Sequence, residues 1–301
     1  MKKNAFDAES IVSSLAKNPF FISLGLLYFS ILIAGIVNTV ILLVKKAGKK
    51  RLFPDPNDNQ NTTLYPPAQG TTGLPARLHS NQESNWKTLA FILFSVYIIS
   101  FITLISISNI NNKYAIFSIV IFCNFLLELA VIIIILKQFS KNRLGLIKKY
   151  FYPHKVFMIY SSFILLLIPA ALFNQLLLKG LNTSPTVNPI ISLFLSTKDT
   201  YSTYLLLFQI VILGPLAEEL FFRGFLFRWL RGKISFRNSA LAVSCIFAIM
   251  HRTPAAFLPL FFLSLLLCFI YERTKNLFNS IFLHSFHNFL GALFLIIIKL
   301  N

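Results

Sequence analysis

Apolar runs of the length that crosses a lipid bilayer dominate this chain and fix its fold class. Eight are read, at residues 20–44, 88–109, 114–136, 156–178, 201–230, 238–256, 257–271 and 277–298. A spanning helix needs about 20 predominantly apolar residues. The run at 201–230 is interrupted, and that at 257–271 is the shortest. Of 301 residues 56% are hydrophobic and only 13% charged, with a mean hydropathy of +0.70. A soluble domain carries about 25% charged residues, so soluble and disordered classes are excluded. The expected fold is an all-α polytopic membrane protein with about eight transmembrane helices.

The formal net charge is +18 and the pI is near 10.0. The basic residues gather between apolar runs, which is the pattern of membrane topology and not of nucleic-acid binding. Lys45, Lys46, Lys49, Lys50 and Arg51 form one cluster, and Lys137, Lys141, Arg143, Lys148, Lys149 and Lys155 a second. Arg228, Arg231, Lys233 and Arg237 form a third, and Arg273 with Lys275 a fourth. Alternate connections are poor in Lys and Arg. The basic loops therefore belong in the cytoplasm and both termini outside, although Lys2 and Lys3 oppose the N-terminal placement. Cys123, Cys245 and Cys268 lie within apolar runs and make no CxxC, so no disulfide framework is implied. The first run, from Phe20 to Val44, is too long for the core of a signal peptide. No internal repeat is visible, which disfavours an inverted-repeat transporter.

Four regions follow. Residues 1–44 hold an N-terminal segment and the first span. Residues 45–87, rich in Pro, Asn, Gly and Thr, read as a polar cytoplasmic linker that cannot build a core. Residues 88–200 hold spans of unassigned role, and residues 201–301 carry the chemistry.

Ionisable groups within apolar segments are costly, at about 2.5–3.5 kcal/mol each on insertion scales, and mark function. They are Glu128, Glu218, Glu219, Arg223, His251, His284 and His287, and all but Glu128 fall in the last third of the chain. In Gly214-Pro215-Leu216-Ala217-Glu218-Glu219-Leu220-Phe221-Phe222-Arg223, Pro215 has no N–H and is expected to break the incoming helix and start a new one. Both glutamates then lie in a first turn, where the helix dipole favours negative charge. Glu219 and Arg223 are four apart and can pair structurally. Glu218, rotated by about 100°, is left free for chemistry. His251 closes Phe247-Ala248-Ile249-Met250-His251. A single helical histidine is more often packed than catalytic. His284, His287 and Asn288 share one helix face, which must point at protein or water and suits either interhelical packing or chemistry. Counted at 1.5 Å per residue, Glu218 lies roughly 20 Å, His251 roughly 18 Å and His284 roughly 12 Å from the cytoplasmic ends of their helices. One cavity can hold all three. Glu128 stands apart, with two open readings: it faces the same cavity, or it pairs with a loop cation.

Two mechanisms fit this set. In one, Glu218 is the base that activates a water oriented by His251, and His284 with Asn288 stabilises the oxyanion. In the other, Glu218, His251 and His284 bind a divalent metal. No HExxH is present. GxSxG and Walker A motifs and paired membrane aspartates are also missing from the sequence.

The series Glu218-Glu219-x-x-x-Arg223, Phe247-x-x-x-His251 and His284-x-x-x-Asn288 resembles the CPBP family of intramembrane proteases, the CAAX-processing and bacteriocin-processing proteins also called Rce1-like or Abi-type. The resemblance covers about residues 203–298. It implies an eight-helix glutamic endopeptidase acting at the membrane on a protein or peptide. Glu218 would be the water-activating base assisted by His251, His284 and Asn288 the oxyanion site, and Glu219 and Arg223 its support. The family is viewed as metal-independent, so no cofactor is expected, with a divalent metal as the open second option. His287 lies outside the motif and reads as packing. Eukaryotic members act on prenylated proteins with a C-terminal CAAX motif. Some bacterial members serve bacteriocin maturation or immunity, and others are non-catalytic scaffolds. A non-catalytic member that binds a toxin or partner is thus one competing reading, and a transporter or channel is another. Lys-, Asn-, Ile- and Phe-rich usage suits an AT-rich bacterial genome, hence a multi-pass protein of the bacterial inner membrane.

Overall fold

The computed structural model describes residues 30–31, 33–39, 41, 113–139, 144–146, 150–182, 191, 194–195, 199–251 and 253–300. The expected span at 88–109, the linker at 45–87 and most of the first segment lie outside these residues. The described residues are helical, with no strand among them. We number the elements α1 (Lys113–Gln138), α2 (Pro153–Gly180), α3 (Thr200–Arg231), α4 (Phe236–Met250), α5 (Phe257–Thr274) and α6 (Leu277–Leu300). Four of them, α2, α3, Pro254–Thr274 (which contains α5) and α6, are long and apolar enough to cross a membrane. The chain is an integral membrane protein on this basis. The 257–271 run, the shortest in the sequence, is one of the four. The count of eight spans lies beyond what the described residues hold.

Helix α5 packs against α4, α2 and α6, while α3 packs against α1 and α6. One apolar cluster joins α1, α3 and α4 through Ile135, Phe222, Phe225, Val243 and Phe247. A second joins α2, α5 and α6 through Tyr160, Leu263, Leu267 and Leu283. Water is not the solvent on the outer faces, so exposed Leu172, Leu176 and Ile249 are ordinary there. The helical residues 33–39 sit on α2. A Cβ on Gly35 would collide with the Ser161 carbonyl, and Asn38 donates to Ser161 Oγ at 2.7 Å.

The apolar run 238–256 holds a helix and the connection that follows it. The helix ends at Met250, with His251 as its C-terminal cap, and a short 3-10 turn at Pro254–Ala256 precedes α5. One sequence expectation is corrected: Pro215 does not break α3. Leu213 and Gly214 keep right-handed helical dihedrals, and α3 continues by changing its winding. Thr200–Phe208 is α, Gln209–Leu213 is π, Gly214–Glu219 is α, Leu220–Phe227 is π and Arg228–Arg231 is α. A proline ring clashes with the carbonyl four residues back; the wider π turn relieves that clash without ending the helix. Pro215 does stand in the first turn of an α segment, one residue after Gly214 opens it. With helix on its N-terminal side, however, the glutamates have no free helix N-terminus behind them, and the dipole argument for their placement falls.

Candidate active site

Glu218 and Glu219 are neighbours in α3 with opposite surroundings. Both Glu219 and Arg223 have fully buried side chains, and Arg223 Nη1 donates to Glu219 Oε1 at 2.7 Å. The four-residue spacing predicted this pair. The sequence did not show what surrounds it. Arg223 Nη2 donates to Ser264 Oγ on α5 at 2.7 Å and also to the Ser264 carbonyl. The guanidinium stands 5.0 Å from the centre of the Phe247 ring on α4. Glu219 Oε1 also accepts from His284 Nδ1 on α6, at 2.9 Å. One charge pair thereby ties four helices together.

Glu218 is 35% exposed. Its Oε2 makes no direct hydrogen bond within the protein, and it faces two imidazoles. His284 Nε2 lies at 3.7 Å and His251 Nε2 at 3.9 Å. Both rings are oriented through their other nitrogen. His251 Nδ1 is 2.7 Å from the Phe247 carbonyl. That oxygen only accepts, so Nδ1 carries the proton and Nε2 is turned to Glu218. His284 Nδ1 donates to Glu219, so its Nε2 is turned to Glu218 as well. The gaps at Glu218 exceed a direct hydrogen bond and fit one water molecule between the groups.

The spacing in Phe247-x-x-x-His251 now has a physical reading. The Phe247 carbonyl holds His251, and its fully buried ring packs 4.4 Å from His251 and 5.8 Å from His284, centre to centre. The turn that follows His251 is held from α2. Asn174 donates to the Pro254 and Ala255 carbonyls at 2.9 and 2.8 Å. That role had no signal in the sequence.

Of the remaining predicted residues, Asn288 lies one turn beyond His284, and its Nδ2 donates to the Ile210 carbonyl on α3 at 2.8 Å. His287 turns to α2, where its Nδ1 is 2.8 Å from the Tyr160 hydroxyl, in keeping with a packing residue. Glu128 on α1 lies against Gly214. A Cβ there would stand 3.3 Å from Glu128 Oε1. Gly214 and Glu218 are four apart on one face of α3, and Glu128 and Glu218 interact electrostatically. Of the two readings for Glu128, the structure favours the site over a loop cation. Among the described residues, no group of three or more His, Cys, Asp or Glu is arranged to hold a metal ion.

No curated protein and no solved structure matches the chain. A family model does match, the one described as type II CAAX prenyl endopeptidase Rce1-like, over residues 200–290. That stretch contains Glu218, Glu219, Arg223, His251, His284 and Asn288, and it falls within the region whose motifs resemble the CPBP proteases. Over α3 to α6 this chain is thus similar to the Rce1-like type II CAAX prenyl endopeptidases.

Proposed function

We propose that this protein is an intramembrane endopeptidase that hydrolyses a peptide bond of a membrane-associated or lipidated protein by Glu218-activated water. One observation carries the reading: Glu218 Oε2 and the Nε2 atoms of two differently backed imidazoles converge within 4 Å. The backing of each ring supports a different role for it. His251 rests on a backbone carbonyl, which suits a neutral ring, so its Nε2 accepts a hydrogen bond from the water and orients it. His284 rests on the Glu219 carboxylate, a counter-charge for an imidazolium, so its Nε2 is suited to donate to an oxyanion.

The reaction then balances. The water oxygen bonds to the peptide carbonyl carbon, and its proton passes to Glu218. The carbonyl electron pair moves to oxygen, where His284 Nε2–H donates to it. On collapse the C–N bond breaks, and Glu218 returns the proton to the leaving nitrogen. Glu219 and Arg223 keep His284 in place. Asn288 gives one amide N–H to Ile210, and its second N–H is the donor that would join His284 at the oxyanion. The family match supports a protease acting at the membrane, and a protein with a prenylated C-terminus is the first substrate class to try. The bacterial inner membrane remains the proposed location.

The test is incubation of the detergent-purified protein with a fluorogenic peptide library and a prenylated CAAX peptide, with and without a chelator. Cleavage that survives chelation is expected. Cleavage abolished by chelator and restored by zinc would move Glu218, His251 and His284 into a metal site.

A further inference from the structure

The hydrogen bond from Asn288 to Ile210 falls at a carbonyl for which the winding around Pro215 leaves no helical donor at four or five residues. In the π turn the Gly214 N–H reaches back five residues to the Gln209 carbonyl. It is therefore not available to Ile210, four residues back. The next donor in a five-residue ladder would be residue 215, and proline has no N–H. Neither residue that would serve the Ile210 carbonyl within the helix does so. An unsatisfied carbonyl at membrane depth is costly. Asn288 Nδ2, from α6, donates to it at 2.8 Å. Glu218 follows Pro215 by three residues, so the winding of this turn sets where its carboxylate points.

We infer that Asn288 is a positioning residue. It substitutes for the N–H missing at Pro215, and so holds the π turn of α3 and the Glu218 carboxylate in register with His284 on its own helix. The inference concerns the same site and rests on the Glu218 reading for its effect on catalysis. Its effect on the fold is independent of any activity.

A double-mutant cycle tests it, with Asn288→Ala, Pro215→Ala and the double variant purified in detergent. The Pro215→Ala substitution restores a backbone N–H at the position that the five-residue ladder pairs with the Ile210 carbonyl. Asn288→Ala alone is expected to lower the unfolding midpoint and to reduce kcat by roughly tenfold or more, with little change in KM. In the Pro215→Ala background the same substitution is expected to cost several-fold less in kcat and little in midpoint. Equal losses in both backgrounds, in midpoint or in kcat, would overturn the inference and leave Asn288 with the oxyanion contact alone. If Asn288→Ala does not fold, recovery of folded protein in the double variant supports the inference, and failure to recover overturns it. If the wild type cleaves no peptide, the proposed function fails, while the midpoint cycle still decides the role of Asn288.

Discussion

Arg223 and Glu219 are sealed from solvent, and neither charge is left alone. The guanidinium meets Glu219, Ser264 and the Phe247 ring, and the carboxylate meets Arg223 and His284. Removing one member of a buried pair leaves the other uncompensated, at a cost of about 3–5 kcal/mol. Glu219→Gln is therefore expected to lower the unfolding midpoint in detergent well beyond what Glu218→Gln does, because Glu218 borders open space. Comparable midpoints for the two variants would contradict the division of roles. This division was partly legible in the sequence. The Glu219–Arg223 pair spans one helical turn, and local spacing reports such contacts. The bonds from His284 to Glu219 and from Asn288 to Ile210 join residues 65 and 78 apart. They depend on how α6 lies against α3, and a single sequence holds no record of that. Glu128 was visible as an expensive buried acid, but its position beside Gly214 needed the packing of α1.

The defining element is α3, which keeps its course through a proline by widening its winding on both sides of the glutamates. Single-turn π segments are frequent at functional sites. Here the Gln209–Leu213 turn accommodates Pro215 and leaves a carbonyl for another helix to satisfy. At 3.6 residues per turn a proline is expected to break a helix, and a change of winding leaves no mark in a single sequence. The start of α3 was likewise not anticipated in detail. Asp199 caps it by accepting from the Ser202 N–H at 2.9 Å. These hydrogen bonds, chiefly with Ser202, hold the exposed Asp199 carboxyl below its ordinary range. A lowered folded value means the cap stabilises above the unfolded pKa and is lost as pH falls through the folded one. Asp199→Ala is expected to lower the unfolding midpoint at neutral pH, with the difference from wild type shrinking as the pH falls below the ordinary aspartate range, about 4. A difference that persists unchanged at low pH would contradict the role of the ionised cap.

On the scale of the whole molecule, the bilayer made much of the arrangement legible. Spanning helices run along one axis, so counting residues from one end of each amounts to measuring depth. That count allowed Glu218, His251 and His284 to meet, and the structure brings each histidine within 4 Å of Glu218. What depth cannot give is rotation and tilt, which decide that both imidazoles present Nε2 and not Nδ1. Those orientations follow from the Phe247 carbonyl and from Glu219, each fixed by contacts between helices. The helices α3 to α6, which carry the proposed site, contain the stretch that matches the Rce1-like family, while α2 adds the Asn174 brace that steadies the turn beyond His251. The proposed hydrolysis depends above all on Glu218 as the base that activates water. Its most direct test is cleavage of a prenylated CAAX peptide by purified wild type and Glu218→Gln, side by side, with melting curves for both. The expected result is a loss of roughly 10²–10⁴-fold in kcat with an unfolding midpoint close to wild type. Full cleavage by a folded Glu218→Gln variant would contradict it.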